Sequence, residues 1–418
     1  MVRPIALHDQ VLYRTAVIRH GNAKTCRYTL LFPSEGKFAL SETTTQRRKQ
    51  MKRIGLLFTI TALAALLAAG TAAAEIKVGI MVPTTGSEAT YGKDMENAIK
   101  MAVDEINAKG GVLGQKFTTF TGDDGCDPQM ATAAASKIVS ASVDAVVGGY
   151  CSGATLPTLK IYSDAAVPIV IPAANSTKFI DLNPGNAFLI NSIGTYQVET
   201  AVGLFKKLGV KKIAVVHQGD GYSEDLASLT QKEWTKLGNE VVAFEVVNKG
   251  EQDHSALVTR IKSKAPELVF WTAYYADGAL IIKQLRQGGY MGKIAVGDGS
   301  TDAKLMEIAG KAAEGVYALA NPLPEFLGEG QKFIDAYKAK FKTNPGPYSA
   351  LSYDGMYLLA DAIKRAGSTD KKKVAEALKA TKEFKGLSGP VTFTDKNLLS
   401  RSNFVVLEVK NGKFALAK

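Results

Sequence analysis

Histidine and cysteine are scarce in this chain. Its 418 residues include four histidines (His8, His20, His217 and His254) and three cysteines. Two of the histidines fall in the first 50 residues and the other two are not at metal-ligand spacing, which argues against a metal site. The G-x-S-x-G elbow of serine hydrolases is missing: the nearest stretch, Gly149-Tyr150-Cys151-Ser152-Gly153, carries its serine one position late. There is no P-loop, and Gly297-Asp298-Gly299 lacks the third glycine of a dinucleotide fingerprint. The paired acids Asp123-Asp124 read as a strand-end turn rather than as acid–base machinery. A secreted hydrolase is therefore disfavoured, since no nucleophile–base pair is evident. Long Gly/Ser linkers are also absent, so any domains should be joined by short crossovers.

What is present is an ordinary globular composition, 46% hydrophobic and 22% charged, in a chain longer than one compact core usually holds. The net charge of +11 is unevenly spread: residues 1–50 carry nine Lys/Arg against three Asp/Glu, Lys52 and Arg53 add two more, and residues 75–418 hold only +3. No phosphate-binding face follows from that, and no nucleic-acid partner is expected.

Met51-Lys52-Arg53, the apolar stretch from Ile54 to Ala69, and Gly70-Thr71-Ala72-Ala73-Ala74-Glu75 have the three parts of a secretory signal, with cleavage expected after Ala74. The apolar run is short for a membrane span. Residues 1–50, upstream of this signal, read as a mis-called extension and are set apart from the fold. Cys26 leaves with them. Cys126 and Cys151 remain, and an even count in an oxidising compartment favours one disulfide. Closing a loop of about 25 residues contributes roughly 3.5 kcal/mol in the chain-entropy model. Cys151 is thus read as a staple and not a nucleophile.

From residue 76 onwards strands and helices alternate. Ile76 to Pro83, Phe117 to Phe120, Ala145 to Val147 and Pro168 to Pro172 read as strands; helices are expected from Met95 to Ile106, from Pro128 to Ile138 behind an Asp127 cap, and after Gly149. The pattern then restarts, with strands at 212–216, 241–247, 268–271 and 294–296 and helices at 196–208, 223–237, 254–264 and 277–287. Helices dominate 331–381, and 404–416 is a hairpin around Asn411-Gly412. Short apolar strands alternating with helices imply an α/β class with two doubly wound parallel sheets, each covered on both faces.

Ligands of such sheets bind beyond the strand C-termini. The polar groups there are Ser152 after the third strand, Ala173-Ala174-Asn175-Ser176 after the fourth, and Tyr274 and Asp298 in the second half. Ser152 and nearby amides could grip an anion, and Asp298, flanked by glycines, an ammonium; together they suit a zwitterion. Read singly, Ser152 could equally be an N-cap and Asp298 a turn acid.

Several stretches carry a resemblance: Ala89-Thr90-Tyr91-Gly92, Ile106-Asn107-Ala108-Lys109-Gly110-Gly111, Asp123-Asp124-Gly125-Cys126-Asp127-Pro128, Gly149-Tyr150-Cys151-Ser152, Pro172-Ala173-Ala174 and Ala313-Glu314-Gly315. With these, residues 75–418 resemble the leucine/isoleucine/valine-binding family of periplasmic solute-binding proteins that serve ABC importers. The resemblance implies a type I periplasmic binding protein: two lobes (75–195 plus 322–395, and 196–321 plus 396–418) joined by three crossovers and closing on ligand. It implies a Cys126–Cys151 disulfide. It assigns Ser152 and the Asn175 amide to an α-carboxylate, with Cys151 and Ala174 in the same two loops. The carbonyls of Tyr150 and Ala173, with Asp298, are assigned to the ammonium, Tyr274 to a phenol contact, and Tyr91, Tyr222 and Tyr348 to the side-chain walls.

Three departures stand out: Asn175 replaces a threonine, Asp298 a glutamate and Tyr150 an aliphatic residue of the leucine binders. The expectation is a non-enzymatic periplasmic receptor without cofactor, monomeric, that delivers an amino acid of branched-chain or related type to an inner-membrane permease. The other reading kept is a sensory module for a small amide or carboxylate solute.

Overall fold

The structure is a computed structural model that describes residues 75–417 and the backbones of two short strands, Tyr13–Ala16 (β1) and Tyr28–Leu31 (β2). β1 and β2 pair antiparallel within a first unit, Met1–Ala72; every other described element lies in a second, Ala73–Lys418. The signal-like segment 51–74 lies outside the described residues, as does the rest of 1–50.

The first sheet of the second unit contains β3 (Ile76–Val82), β4 (Phe117–Asp123), β5 (Ala145–Gly148), β6 (Ile169–Ile171) and β7 (Ala187–Leu189), in the order β4-β3-β5-β6-β7 and parallel throughout. β5 and β6 are buried along their whole length, which is why their sequences are continuous apolar runs rather than alternations. The second sheet repeats this order with β8 (Lys212–His217), β9 (Glu240–Val246), β10 (Leu268–Trp271), β11 (Lys293–Val296) and β12 (Tyr317–Ala320), running β9-β8-β10-β11-β12. A small antiparallel ladder, β13 (Phe384–Gly386) with β14 (Gly389–Val391), follows. β15 (Val405–Lys410) and β16 (Lys413–Leu416) then extend the second sheet antiparallel beyond β12. That sheet is therefore mixed, and a two-residue turn reverses the chain between β15 and β16. The turn has positive φ at both Asn411 (53°) and Gly412 (71°), as a tight hairpin requires.

Two strands escaped the sequence reading. β7 (Ala-Phe-Leu) and β12 (Tyr-Ala-Leu-Ala) are too short to show a period of their own and take their conformation from the neighbouring strand. The helix expected after Gly149 is broken into Ser152–Thr155, a 3₁₀ turn Leu156–Thr158 and Leu159–Asp164, with Pro157 in the break.

The Ala89–Ala108 helix packs against Ser349–Ala366, and the latter also covers β5 and β6. The helical segment distant in sequence thus completes the cover of the first sheet. Asp127 caps the Pro128–Ser140 helix, its carboxylate accepting from the amides of Gln129 and Met130; such a cap contributes about 1 kcal/mol.

In each sheet the strand earliest in sequence, β3 or β8, lies between the strand before the order reverses and the strand after. Loops leaving β3 and β5, or β8 and β10, therefore diverge and open a crevice at the strand C-termini. Gly148 and Gly149 make the turn out of β5 with φ of 150° and 98°, and a Cβ on Gly148 would come within 2.3 Å of the Met81 carbonyl oxygen. Only glycine lets the chain turn there and present Tyr150, Cys151 and Ser152 to the crevice.

Candidate ligand-binding cleft

Every ligand-contact candidate named from the sequence is buried, the disulfide partner Cys126 is half-buried, and most are gathered into one connected cluster at the strand ends of the two sheets. Asp298, in the loop after β11, is its acidic centre. Its Oδ1 accepts from the Tyr222 hydroxyl at 2.6 Å and from Gln197 Nε2 at 3.1 Å. Its Oδ2 accepts from Asn175 Nδ2 at 3.1 Å and from Asn191 Nδ2 at 3.5 Å. Burial raises its carboxyl above the usual range, opposed by hydrogen bonds from Tyr222, Tyr348, Gln197 and Asn191. The flanking glycines are sterically required: a Cβ on Gly297 would meet the Tyr222 hydroxyl at 2.5 Å, and one on Gly299 would press on Tyr274, the Ala273 carbonyl and Tyr222.

Ser152 begins its helix after the extended Cys151, and its Oγ accepts from the amides of Asn175 and Ser176, both at 3.2 Å. Those two amides donate to the serine oxygen here; with the serine hydroxyl they are the donors that an anion at the end of β5 and β6 would have to take over. The Cys151 sulfur is bonded to Cys126, with 5.4 Å between the Cα atoms, so it offers no thiol. The bond ties the turn after β4 to the turn after β5. The Ala174 amide is engaged by the Gly149 carbonyl at 3.0 Å, and the Ala173 carbonyl by Asn191 Nδ2 at 2.6 Å. The latter oxygen, assigned by resemblance to a ligand ammonium, already has a side-chain partner.

The tyrosines form a continuous patch. Tyr91 stacks on Tyr150 at 4.7 Å between centroids and meets Tyr348 at 5.6 Å and Tyr275 at 5.4 Å. Tyr150 also touches Tyr274 and Tyr348, and Tyr274 touches Tyr222. Offset and edge contacts of this kind contribute about 0.5–1.5 kcal/mol each beyond burial. Burial pushes the phenols of Tyr91, Tyr150, Tyr222, Tyr274 and Tyr348 well above 10, so all five remain neutral hydrogen-bond donors. Tyr222 was expected as a wall; the structure places its hydroxyl on Asp298 instead. Tyr274, expected to contribute its phenol, directs it toward Asp220 Oδ1 at 3.4 Å.

Several members of the cluster were not anticipated. Gln197 and Asn191 hold Asp298; Tyr275 donates to the Ser87 carbonyl at 2.7 Å. Glu88 is 1% exposed, accepts from the Tyr150 hydroxyl at 3.3 Å, and has its carboxyl pushed up to about 8, chiefly by burial. Its one sequence signal was its place directly before Ala89-Thr90-Tyr91-Gly92. Asp225, at the start of the Ser223–Lys236 helix, accepts from Ser176 Oγ at 3.0 Å, Thr177 N at 2.6 Å and Thr177 Oγ1 at 2.7 Å.

This is a polar, tyrosine-walled crevice between two sheets of one topology. A family model described as periplasmic binding protein matches residues 75–413. The chain belongs to that family. A Leu/Ile/Val-binding protein homolog of Brucella abortus (strain 2308) is 33% identical over 361 residues, 85% of this chain and 96% of the homolog. Among solved structures, the leucine binding protein LivK of Thermotoga maritima MSB8 superposes with a TM-score of 0.77 at 30% identity, covering 82% of this chain and 98% of that one. LivJ of Streptococcus pneumoniae, a branched-chain amino acid transporter substrate binding protein solved with isoleucine, gives 0.76 at 27% identity, covering 82% and 99%. The type I periplasmic binding fold is thus the fold of this chain, and binding proteins of this family serve transport rather than catalysis.

Proposed function

We propose that this protein is the periplasmic substrate-binding component of an ABC importer, capturing an α-amino acid of branched-chain or related type and delivering it to an inner-membrane permease. The ligand lies between two lobes, 75–195 plus 322–395 and 196–321 plus 396–418. Its carboxylate takes the Ser152 hydroxyl and the Asn175 and Ser176 amides, and its ammonium takes Asp298. Tyr91, Tyr150, Tyr274 and Tyr348 wall the side chain. The observation that carries this reading is the buried Asp298 carboxyl, bonded by Asn175 from the loop that also meets Ser152. One such loop gathers a negative and a donor-rich group, the two halves of zwitterion recognition. The relatives with leucine, isoleucine and valine in their names support the amino-acid class.

The test is thermal shift and calorimetry against a panel of α-amino acids, their amides and their deaminated acids. An α-amino acid should raise the melting temperature, since ligand at about 1,000 times its Kd adds roughly 4 kcal/mol. The amides and deaminated acids should not. Binding of a deaminated acid as tight as that of its amino acid would exclude the assigned role of Asp298.

A further inference from the structure

The cleft is rich in acceptors. Asn191 Oδ1 and Gln197 Oε1 are buried with no hydrogen-bond partner, while the nitrogen ends of the same amides are bonded to Asp298. The phenol donors are mostly spent: Tyr150 on Glu88, Tyr222 on Asp298, Tyr274 on Asp220, Tyr275 on the Ser87 carbonyl and Tyr91 on the Gly299 carbonyl at 3.4 Å. Among the described residues no lysine or arginine is buried, whereas Glu88, Asp277, Asp298 and Asp302 are.

Glu88 and Asp298 touch different members of one ring cluster. Asp298 holds Tyr222, and Glu88 holds Tyr150, whose ring stacks on Tyr91 and borders Tyr274 and Tyr348. A ligand ammonium on Asp298 therefore leaves Glu88 for the other end of the molecule. Protonated, the Glu88 carboxyl keeps a carbonyl oxygen that can take an N–H, and ionised it has about four acceptor positions; a hydrocarbon end against it would leave these unmet in a dry site. Sites built with buried polar groups reject analogues lacking the matching donor by on the order of 10⁴-fold, whereas apolar pockets discriminate a methylene by only about 10–200-fold. Tyrosine faces also favour a cationic or planar nitrogen group over a branched alkyl one.

We propose that Glu88, with the Tyr150 phenol bonded to it, forms the specificity-determining end of the pocket, and that the ligand is an α-amino acid whose side chain ends in an N–H donor, amide or cationic, rather than in a branched hydrocarbon. This rests on the amino-acid reading given above. The groups facing Glu88 are the Ser87 hydroxyl, Tyr150, Tyr91, Tyr274 and Tyr275, with Asp277 and the exposed Lys249 from the second half. Burial keeps the carboxyl protonated near neutrality, so a cationic side chain would bind with release of a proton and bind more tightly as pH rises through about 8. An amide side chain would show little such dependence.

Calorimetry of the purified protein with L-leucine, L-isoleucine, L-glutamine, L-lysine and L-arginine tests this, on wild type and on Glu88→Leu, Glu88→Gln and Tyr150→Phe. At least one of the last three ligands should bind wild type tenfold or more tighter than leucine. Glu88→Leu should remove that preference; Glu88→Gln should keep it for glutamine and lose it for the cations. If Glu88→Leu does not fold, Glu88→Gln and Tyr150→Phe, which change a charge or one oxygen, supply the same comparison. Leucine or isoleucine binding best, or an unchanged ranking in the variants, overturns this inference alone. No binding of any α-amino acid overturns both it and the amino-acid reading.

Discussion

Asn175 and Asp298 are 123 positions apart and meet at 3.1 Å, side-chain amide to carboxylate, at the strand ends of two different sheets. Asn175 follows β6 and is held in place by its own amide on Ser152 Oγ; Asp298 follows β11 and is held by Tyr222 and Gln197. The contact joins the two halves at the point where both order reversals open a crevice. It also ties the anion-binding donors to the carboxyl assigned to a ligand's α-ammonium.

Asp298→Ala is predicted to weaken ligand binding by on the order of 2–5 kcal/mol, because a desolvated ammonium loses its charged partner. Calorimetry reads the change directly. Unaltered affinity would remove Asp298 from the binding site. Asp298→Asn separates charge from shape: it should retain the fold while losing most of the affinity.

Reduction of Cys126–Cys151 is predicted to lower stability by roughly 3.5 kcal/mol, the chain-entropy value for a loop of this size, while ligand binding persists. The bond anchors the loop carrying Ser152, but Gly148 and Gly149 and the Ser152 helix are set by backbone contacts of their own. Thiol titration of the native oxidised protein should find neither thiol free. Two reactive thiols would refute the bond.

Much of this architecture was legible because each strand was either a continuous apolar run or bounded by turn residues. Val143 to Gly149 announces β5 and its glycine turn; Asp127-Pro128 announces a helix start; Asn411-Gly412 announces a hairpin. The strand-end rule led to Ser152, Asn175, Tyr274 and Asp298, which the fold gathers into one cluster. Gln197, Asn191 and Glu88 gave no such sign. Gln197 sits on an amphipathic helix where glutamine is unremarkable, and its role comes from Asp298, 101 residues away. Nor could spacing reveal that the Tyr222 hydroxyl points at Asp298. Those relationships arise only when two sheets distant in sequence face each other.

Stability is predicted to fall as pH rises from about 5 to 8. Burial holds Asp94 and Asp354 up at about 6, Asp124 at about 7 and Glu88 at about 8, and raises Asp298 too. In the unfolded chain these groups lose their protons near the ordinary carboxylate range, about 4. Between about 4 and 8 the native state therefore binds more protons than the unfolded state, and stability declines with pH. Glu96 and Asp123, whose pKa values are lowered by their hydrogen bonds despite partial burial, work the other way only below about 4, and His217, lowered by burial, works the other way only below about 6.5, one group against the several raised carboxyls. A melting temperature several degrees higher at pH 5.5 than at pH 8 is expected in the ligand-free protein; a higher value at pH 8 would contradict it.

Asp225 is predicted to act as a closure latch. Its carboxylate takes three hydrogen bonds from Ser176 and Thr177, residues of the loop after β6, while it sits on a helix that follows β8. Beside it, Gly153 and Gly221 approach so closely that a Cβ on Gly221 would lie 3.0 Å from the Gly153 Cα. These contacts exist only when the two halves are together, so they favour that arrangement without touching the ligand. Asp225→Ala should therefore reduce affinity for every ligand by a similar factor, roughly 10–100-fold for about 1.5–3 kcal/mol lost from charged hydrogen bonds. The ranking among ligands should not change, because the pocket walls are intact. Small-angle scattering should show the ligand-free variant more extended than wild type. A variant that alters ligand ranking, or that binds as tightly as wild type, would show that closure does not depend on this carboxylate.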